Sequence, residues 1–337
     1  MNRRIVSALI CAVSLVTTST ASAIPEEGYA DGYAAEVQPW ADAGRVAEFN
    51  GTRGVEISYV AFEEAGADDA IIVLNGRTES YLKYLEVAYD LRGLGASVYM
   101  MDHRGQGSSG RMLSDRQKGY VKHFGDYVRD LKKFVQRVVR PAGHSRVFIL
   151  AHSLGGGIAT RFAQRHPHLV DGLLLSAPML EMNTAPYPES VAYAAAQVLT
   201  WFWQGESYAP GKGEYYTETF EEQTLTHSEA RYAMGEAKLA ANPMIRLGGP
   251  TNRWLSESIW ATWRAGWDAE KLTMPVILFQ AGDDQYVKPG RQNSICAEAV
   301  NCQKVRIEGA SHELLIESDS MRDVVFDHIH SFINTYR

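Results

Sequence analysis

The sequence has no excess of positive charge. Its 337 residues include 33 Lys and Arg against 40 Asp and Glu, which gives a formal net charge of −7 at pH 7. A surface this acidic argues against a nucleic-acid partner and against tight electrostatic docking on anionic lipid. The metalloprotease motif H-E-x-x-H is also missing, since His312-Glu313 is not followed by a second histidine at that spacing. We therefore expect neither a nucleic-acid partner nor a catalytic metal.

Long apolar runs are missing as well. The apolar stretch near the N-terminus extends only from Ile5 to Val16, which is shorter than the about 20 residues of a bilayer-spanning helix. It follows Arg3-Arg4 and precedes Ala21-Ser22-Ala23. This order predicts a secretory signal peptide over residues 1–23, cleaved near Ala23, and an exported protein that is periplasmic or secreted. An uncleaved, membrane-associated form is the alternative, and the export route stays open.

Cysteine is scarce. Of the three cysteines, Cys11 lies in the predicted signal peptide, which leaves Cys296 and Cys302. Their spacing, one in a predicted helix and the other just before the next strand, would suit a short disulfide in an oxidising compartment. Two ordinary buried thiols are the alternative.

Apolar runs that alternate with amphipathic segments predict a mostly parallel sheet with helices on both faces. Repeats and low-complexity tracts are absent, and 45% hydrophobic and 22% charged residues suit one large α/β core with a smaller insertion. The predicted strands are Val55 to Phe62, Ala70 to Leu74, Ser97 to Met101, Val147 to Leu150, Leu173 to Ser176, Val276 to Gln280 and Lys304 to Ile307. The predicted helices are Tyr81 to Leu94, Asp126 to Val139, Leu154 to His166, Arg291 to Ala299 and Ser320 to Tyr336.

The run Ala151-His152-Ser153-Leu154-Gly155 lies between a predicted strand and a predicted helix. It matches the nucleophile elbow G-x-S-x-G, with alanine, the smallest replacement, at the first glycine position. In this turn the serine hydroxyl stands clear of the backbone beside a helix N-terminus. Ser153 is therefore the candidate nucleophile.

A serine on such an elbow takes its base and acid later in the chain, in the order Ser, Asp or Glu, His. Among the ten histidines this order favours His312, which follows a short strand and a flexible loop, with His227 a distant second. The acid should follow the strand Val276 to Gln280, where Asp283 and Asp284 are adjacent. Successive residues at a strand end point in opposite directions, so only one can face His312.

An oxyanion needs backbone N–H donors. The residue after the nucleophile, Leu154, supplies one candidate amide. The other is the amide of Arg77, in the Asn75-Gly76-Arg77 turn after a buried strand, where Gly76 lets the backbone come close to a substrate.

Further motifs surround these residues. They are Gly76-Arg77-Thr78-Glu79-Ser80-Tyr81, Asp102-His103-Arg104-Gly105-Gln106-Gly107-Ser108-Ser109-Gly110, Ala151-His152-Ser153-Leu154-Gly155-Gly156, Gln164-Arg165-His166-Pro167, Ser176-Ala177-Pro178-Met179, Leu225-Thr226-His227-Ser228, Ile245-Arg246-Leu247-Gly248-Gly249-Pro250-Thr251 and Gly309-Ala310-Ser311-His312-Glu313. On these motifs the chain resembles the lysophospholipase L2 family, close to the bacterial monoacylglycerol lipases within the α/β-hydrolases.

The resemblance implies an α/β-hydrolase fold and a carboxylic ester hydrolase that acts on single-chain lipids, most directly a lysophospholipase, with no metal or organic cofactor. It also favours Asp284 as the acid, because Asp284-Gln285-Tyr286-Val287 has the D-x-x-V spacing of related hydrolases. A monoacylglycerol lipase, a general carboxylesterase and, less favoured, a serine peptidase are alternatives on the same fold. A binding protein without catalysis is disfavoured by the complete set of Ser153, Asp284 and His312.

Between residues 180 and 268 the strand-helix alternation stops, which predicts a helical cap between two core segments, 24–179 and 269–337. Six of the seven tryptophans lie in it: Trp201, Trp203, Trp254, Trp260, Trp263 and Trp267. We expect about half of these rings to pack in the cap core and others, with Trp201 and Trp203 as candidates, to line the substrate pocket and allow transient contact with a membrane surface. Arg246 and Arg253 are candidates for contact with a substrate phosphate. Head-group preference and oligomeric state stay open.

Overall fold

The computed structural model describes residues 23–337, so the predicted signal peptide lies outside the described residues except for Ala23. An eight-stranded sheet forms the centre, with strand order β1-β2-β4-β3-β5-β6-β7-β8. The strands are β1 Arg45–Asn50, β2 Glu56–Phe62, β3 Asp69–Leu74, β4 Ser97–Met101, β5 Arg146–His152, β6 Gly172–Ser176, β7 Val276–Ala281 and β8 Cys302–Ile307. Strand β2 runs antiparallel to β1 and β4, and the remaining neighbours are parallel. The predicted mostly parallel sheet is confirmed.

The central strands are buried along nearly their whole length, and their middle residues are apolar. Every residue of β3 and β6, and all of β5 after its first residue, is buried. Continuous apolar strands of this kind are stable only when helices cover both faces of the sheet. Because these strands are parallel, the loops at their carboxyl ends meet at one edge of the sheet.

Helices occupy both faces. They are α1 Tyr29–Gly32, α2 Gln38–Asp42, α3 Leu85–Leu91, α4 Gly125–Phe134, α5 Ser153–Arg165, α6 Glu189–Leu199, α7 Glu229–Ala241, α8 Asn252–Trp267, α9 Pro289–Glu298 and α10 Asp319–Tyr336. One apolar cluster contains buried side chains of α4, α5, α8 and α9, and the other contains buried side chains of α1, α3 and α10. Within residues 23–337, none of the helices has both the length and the apolar composition required to cross a membrane.

The segment between β6 and β7 carries α6, α7 and α8. Helix α8 packs against α5 of the core as well as against α6. Gln164 on α5 donates from Nε2 to the carbonyl oxygen of Ala265 on α8 at 2.8 Å. The range 180–268, predicted as a cap, therefore includes one helix that covers the central sheet together with the core helices.

Helix α7 is held to the core by the buried side chain of Arg231. Its Nε lies 3.1 Å from Glu86 on α3, its Nη1 donates to the carbonyl oxygen of Glu317 at 3.0 Å, and its Nη2 donates to that of Ile24 at 2.9 Å. One guanidinium thus joins the cap to three separate parts of the core chain.

Cys296 and Cys302 are joined by a disulfide with a Cα–Cα distance of 5.3 Å, which links α9 to β8. Of the two arrangements left open by the sequence, a disulfide or two separate thiols, the structure therefore has the disulfide.

Candidate active site

Ser153 occupies a sharp turn between β5 and α5. Its φ is +47°, in the left-handed region that is strained for a residue with a side chain. The turn requires small neighbours. A Cβ on Gly155 would lie 2.6 Å from the carbonyl oxygen of Asn75, and one on Gly156 would lie 2.7 Å from the Cβ of Pro178. The glycines at these positions allow the helix that begins at Ser153 to approach both loops.

The structure brings Ser153, His312 and Asp284 together in one hydrogen-bonded series. The Nε2 of His312 lies 2.9 Å from the Oγ of Ser153, and its Nδ1 lies 2.7 Å from Oδ2 of Asp284. The Oδ1 of Asp284 accepts hydrogen bonds from the amides of Tyr286 at 2.8 Å and Val287 at 3.0 Å. Burial raises the pKa of Asp284, but these hydrogen bonds and the one from His312 outweigh it and hold the pKa below its usual value.

The two competing residues point elsewhere. The side chain of Asp283 is exposed, and its backbone amide donates to Ala310 at 2.9 Å. His227, the second candidate base, lies with its Nδ1 2.7 Å from Glu317. Of the two adjacent aspartates, it is Asp284 that faces His312.

Two rings enclose the imidazole of His312. The His152 ring centroid lies 4.7 Å from that of His312, and the Tyr286 centroid lies 5.1 Å away. Burial, followed by repulsion from His312, lowers the pKa of His152 to about 3. His152 is therefore a neutral neighbour at ordinary pH, and its Nδ1 lies 3.2 Å from the carbonyl oxygen of Ser176.

The two amides predicted to hold an oxyanion belong to loops that converge on Ser153. Leu154 is the second residue of α5, where N–H groups have no acceptor within the helix. On the other side, the Asn75-Gly76-Arg77 turn follows β3. Its Gly76 carbonyl accepts from Nε2 of Gln106 at 2.6 Å, and the Gly76 amide donates to Glu79 at 2.5 Å. The turn is thus held from both sides.

Asp102, which the sequence analysis gave no role, anchors this turn from below. Its buried carboxylate accepts hydrogen bonds from Asn75 Nδ2 at 2.9 Å, Ser80 Oγ at 2.9 Å, the Tyr81 amide at 2.7 Å and the Ser108 amide at 2.7 Å. Burial raises the pKa of Asp102 to about 6 although these hydrogen bonds oppose it. The sequence signal for this role is the run Asp102 to Gly107, which directly follows β4. Because β4 pairs with β3, this run lies beside the turn that follows β3.

A second buried cluster, also without a predicted role, lies beside His312. Lys83 Nζ lies 2.9 Å from Glu79 and 2.5 Å from Glu313, and the Tyr84 hydroxyl donates to Glu79 at 2.8 Å. Burial opposes the charge on Glu79, but the charge of Lys83 and the hydrogen bonds from Lys83 and Tyr84 hold its pKa below the usual value. Burial raises the pKa of Glu313, which shares the same lysine.

The predicted substrate-binding residues of the cap do not join this site through hydrogen bonds or ring contacts with the triad. Trp201 and Trp203 are 69% and 93% exposed. The Arg246 guanidinium lies over the Tyr215 ring and donates to the carbonyl oxygen of Leu239, and Arg253 is half-buried on α8. Over residues 23–337, no group of three or more His, Cys, Asp and Glu is arranged to hold a metal ion.

Comparison with known proteins places the chain in a family. A family model described as serine aminopeptidase, S33, matches residues 65–319. Lysophospholipase L2 of Escherichia coli (strain K12) is 38% identical over 303 residues, which cover 86% of this chain and 87% of that protein. Probable lysophospholipase L2 of Haemophilus influenzae is 31% identical over 303 residues, covering 89% and 95%.

Among solved structures, a soluble variant of monoglyceride lipase from Saccharomyces cerevisiae in complex with a substrate analogue has a TM-score of 0.69 at 18% identity, covering 89% of this chain and 98% of that one. At this identity the likeness concerns the fold.

The sheet order, the covering helices and the serine turn define an α/β-hydrolase, as predicted. The chain belongs to the lysophospholipase L2 and monoacylglycerol lipase family of α/β-hydrolases. It is an enzyme, a carboxylic ester hydrolase of the α/β-hydrolase type.

Proposed function

We propose that this chain is a lysophospholipase that releases fatty acid from single-chain lipids through Ser153, His312 and Asp284. The observation that carries the proposal is the hydrogen-bonded series from Ser153 Oγ through His312 to Asp284, with distances of 2.9 and 2.7 Å. This is the geometry in which an imidazole removes a serine proton while a carboxylate fixes its tautomer.

The proposed reaction has two halves. Ser153 Oγ attacks the ester carbonyl carbon while His312 Nε2 takes the hydroxyl proton, and the amides of Leu154 and Arg77 stabilise the oxyanion. Collapse of the tetrahedral intermediate breaks the ester C–O bond, and His312 returns the proton to the departing alcohol. A water molecule then loses a proton to His312 and attacks the acyl-enzyme, which releases the fatty acid and restores Ser153.

A single acyl chain is the favoured substrate feature. The lysophospholipases among the relatives support this, and the cap residue Leu225 accepts a hydrogen bond from the amide of Glu313, next to His312, at 2.8 Å. Drawing an acyl chain out of a bilayer costs about 0.8 kcal/mol of free energy for each methylene that becomes exposed to water. A lipid with one chain leaves a membrane readily, whereas a second chain outside the pocket would add this cost.

Transient contact with a lipid surface is part of the proposal. Trp201, Phe202 and Trp203 follow α6 and are 69%, 68% and 93% exposed. Adjacent exposed aromatic side chains suit the boundary between lipid and water, and they need no anionic lipid.

Export is also proposed. The N-terminal pattern of Arg3-Arg4, a short apolar stretch and Ala21-Ser22-Ala23 supports a cleaved signal peptide. The disulfide between Cys296 and Cys302 suits an oxidising compartment. The uncleaved, membrane-associated form is the alternative.

Two other substrate classes remain as alternatives. A monoacylglycerol lipase or general carboxylesterase would use the same three residues, and the fold shared with monoglyceride lipase agrees with either. A serine peptidase agrees with the description of the family model. The lysophospholipase relatives cover more of the chain than that model does, and they favour an ester substrate.

The deciding experiment measures product release by the purified protein from lysophospholipids, monoacylglycerols, short esters, diacyl phospholipids and peptides side by side. We expect the highest kcat/KM for a lysophospholipid and no hydrolysis of peptides. A preference for diacyl phospholipid or for peptides would overturn the proposal, and a preference for monoacylglycerol would select the first alternative.

A further inference from the structure

The side chain of Arg77 extends from the oxyanion turn toward the cap. Its Nη2 donates to the carbonyl oxygen of Gly248, and its guanidinium lies 5.2 Å from the ring centroid of Trp254. The sequence predicts a role for the backbone amide of Arg77 alone. The side chain places a positive charge between the turn beside Ser153 and the cap turn at Gly248.

This charge has no carboxylate partner. Within residues 23–337, no Asp or Glu forms an ion pair with Arg77, and burial lowers the pKa of Arg77 to about 10. An unpaired cation removed from water is costly and is ordinarily paired with an anion. The fully buried arginines among residues 23–337 follow this rule, with the pairs Arg104–Asp130, Arg161–Asp268, Arg231–Glu86 and Arg322–Asp90.

Arg77 also has donors left over. Its Nε is buried and has no hydrogen-bond partner among the described residues, and its one hydrogen bond to the chain uses Nη2. A guanidinium with a free edge is suited to a planar pair of oxygen acceptors, as a phosphate or carboxylate presents. Arg77 is half-buried as a residue, so a ligand would meet the guanidinium from its exposed side rather than at the buried Nε.

The position of Arg77 limits which anion can bind. Its own amide belongs to the turn proposed to hold the ester oxyanion, so a group bound by its side chain lies within one arginine length of the reacting carbonyl. In a lysophospholipid the phosphate is separated from the ester oxygen by the short glycerol backbone. A monoacylglycerol has an uncharged hydroxyl there, and the carboxylate of a fatty acid product would lie at Ser153 itself.

We propose that the Arg77 guanidinium binds the phosphate group of the lysophospholipid substrate and selects it over neutral esters with the same acyl chain. The proposal rests on the proposed function of Ser153. It names a different arginine from Arg246 and Arg253, the candidates drawn from the sequence, because Arg77 lies on the turn that carries a proposed oxyanion amide.

The test compares wild type with Arg77→Gln and Arg77→Lys, which keep the backbone amide. For Arg77→Gln we expect kcat/KM for a lysophosphatidylcholine to fall by about 10- to 100-fold, mainly through KM, because a charge-assisted hydrogen bond is lost. Hydrolysis of the monoacylglycerol with the same chain should fall by at least about tenfold less, so that the ratio of the two kcat/KM values changes, and Arg77→Lys should recover part of that ratio. Equal losses on both esters would assign Arg77 to loop structure, and no loss on either would overturn phosphate binding.

A matched control is Arg264→Gln on α8, since the Arg264 guanidinium also lies near an aromatic ring, that of Trp267, but is half-exposed. It should leave both activities unchanged.

A second measurement separates this proposal from the proposed function. Glycerophosphocholine should inhibit hydrolysis of a short neutral ester by wild type, glycerol at the same concentration should not, and Arg77→Gln should abolish the inhibition. If no lysophospholipid is hydrolysed but this pattern holds, the phosphate site stands and the lysophospholipase function fails. If lysophospholipids are hydrolysed and glycerophosphocholine does not inhibit, the Arg77 proposal fails alone.

Discussion

The Oδ2 of Asp284 lies 2.7 Å from Nδ1 of His312. The adjacent Asp283 turns its carboxylate to solvent, which makes the two aspartates a matched pair for testing the site. Asp284→Asn should lower kcat by about 10²- to 10⁴-fold, because an amide cannot hold the imidazole in the required tautomer. Asp283→Asn should leave kcat within about twofold of wild type, since a surface change of this kind perturbs little.

Ser153→Ala provides the reference for complete loss, with ester hydrolysis lower by about 10³-fold or more and the fold retained. Steady-state rates on a soluble ester and thermal unfolding of all three variants check both statements. A larger loss of kcat in Asp283→Asn than in Asp284→Asn would show that Asp283, and not Asp284, is the acid.

The buried Glu79 predicts a pH-dependent contribution to stability. Its pKa in the folded protein is lowered to about 2, so it stabilises the fold fully above its unfolded pKa of about 4.3, and this stability is lost as pH falls from there through the folded pKa. The difference in unfolding free energy between wild type and Glu79→Gln should therefore be largest near neutral pH and shrink progressively between about pH 5 and 2. Urea unfolding across this range measures it.

The exposed Glu298→Gln is the control for that experiment, since Glu298 lies on the surface of α9. The unfolding free energy of Glu298→Gln should stay close to that of wild type at every pH. If the Glu79→Gln difference grew as pH fell, the direction assigned to the Glu79 pKa would be wrong.

Export predicts the N-terminus of the mature protein. Protein purified from its native host should begin at Ile24 and be found outside the cytoplasm, and the peptide that contains Cys296 and Cys302 should change mass on reduction. The Ile24 side chain is 3% exposed and its carbonyl oxygen accepts from Arg231, so this end would be fixed to the core. Sequencing that recovers Met1 or Asn2 from active enzyme would contradict cleavage.

The aromatic group after α6 predicts weaker membrane contact when it is removed. Replacement of Trp201, Phe202 and Trp203 by alanine should lower binding to neutral phosphatidylcholine vesicles by at least about tenfold, since three exposed rings are lost from the lipid boundary. Hydrolysis of a soluble ester should not change. Met244→Ala, at another exposed apolar residue, is the control. Unchanged vesicle binding by the triple variant would show that these three rings do not contact the membrane.

The strands of the central sheet were predictable because burial on both faces leaves an uninterrupted apolar run, as in β3 and β5. Strand β1 was not predicted, since it is an edge strand with no buried residue and so carries little of this pattern. The helical stretch around α1 and α2 was missed as well. Helix α8 has a tryptophan stripe, whose spacing predicts a buried face. Trp260 and Trp267 are instead 43% and 60% exposed, and the buried face of α8 includes Ile259, Ala261 and Ala265.

The placement of the three reacting groups could be predicted because the turn after β5 and the order of residues along the chain limit the choices. The surroundings could not. Asp102 and Glu79 interact with loops that meet only after the parallel strands have paired, so local sequence contains no sign of which carboxylate accepts from which amide. Arg77 is the clearest case: its amide follows from the turn, whereas the direction of its side chain depends on where the cap lies.

The position of Arg231 has a consequence for how substrate enters. Swinging α7 away from the core would withdraw Arg231 and leave the buried Glu86 without this partner, at a cost of about 3–5 kcal/mol. At the other end of the cap, Glu189 at the start of α6 lies 3.0 Å from Arg291 on α9, whereas Trp201 and Trp203 after α6 are 69% and 93% exposed. The cap is therefore held to the core through α7 and through the start of α6, and limited proteolysis of the native protein should cut near residues 200–205 well before it cuts within α7.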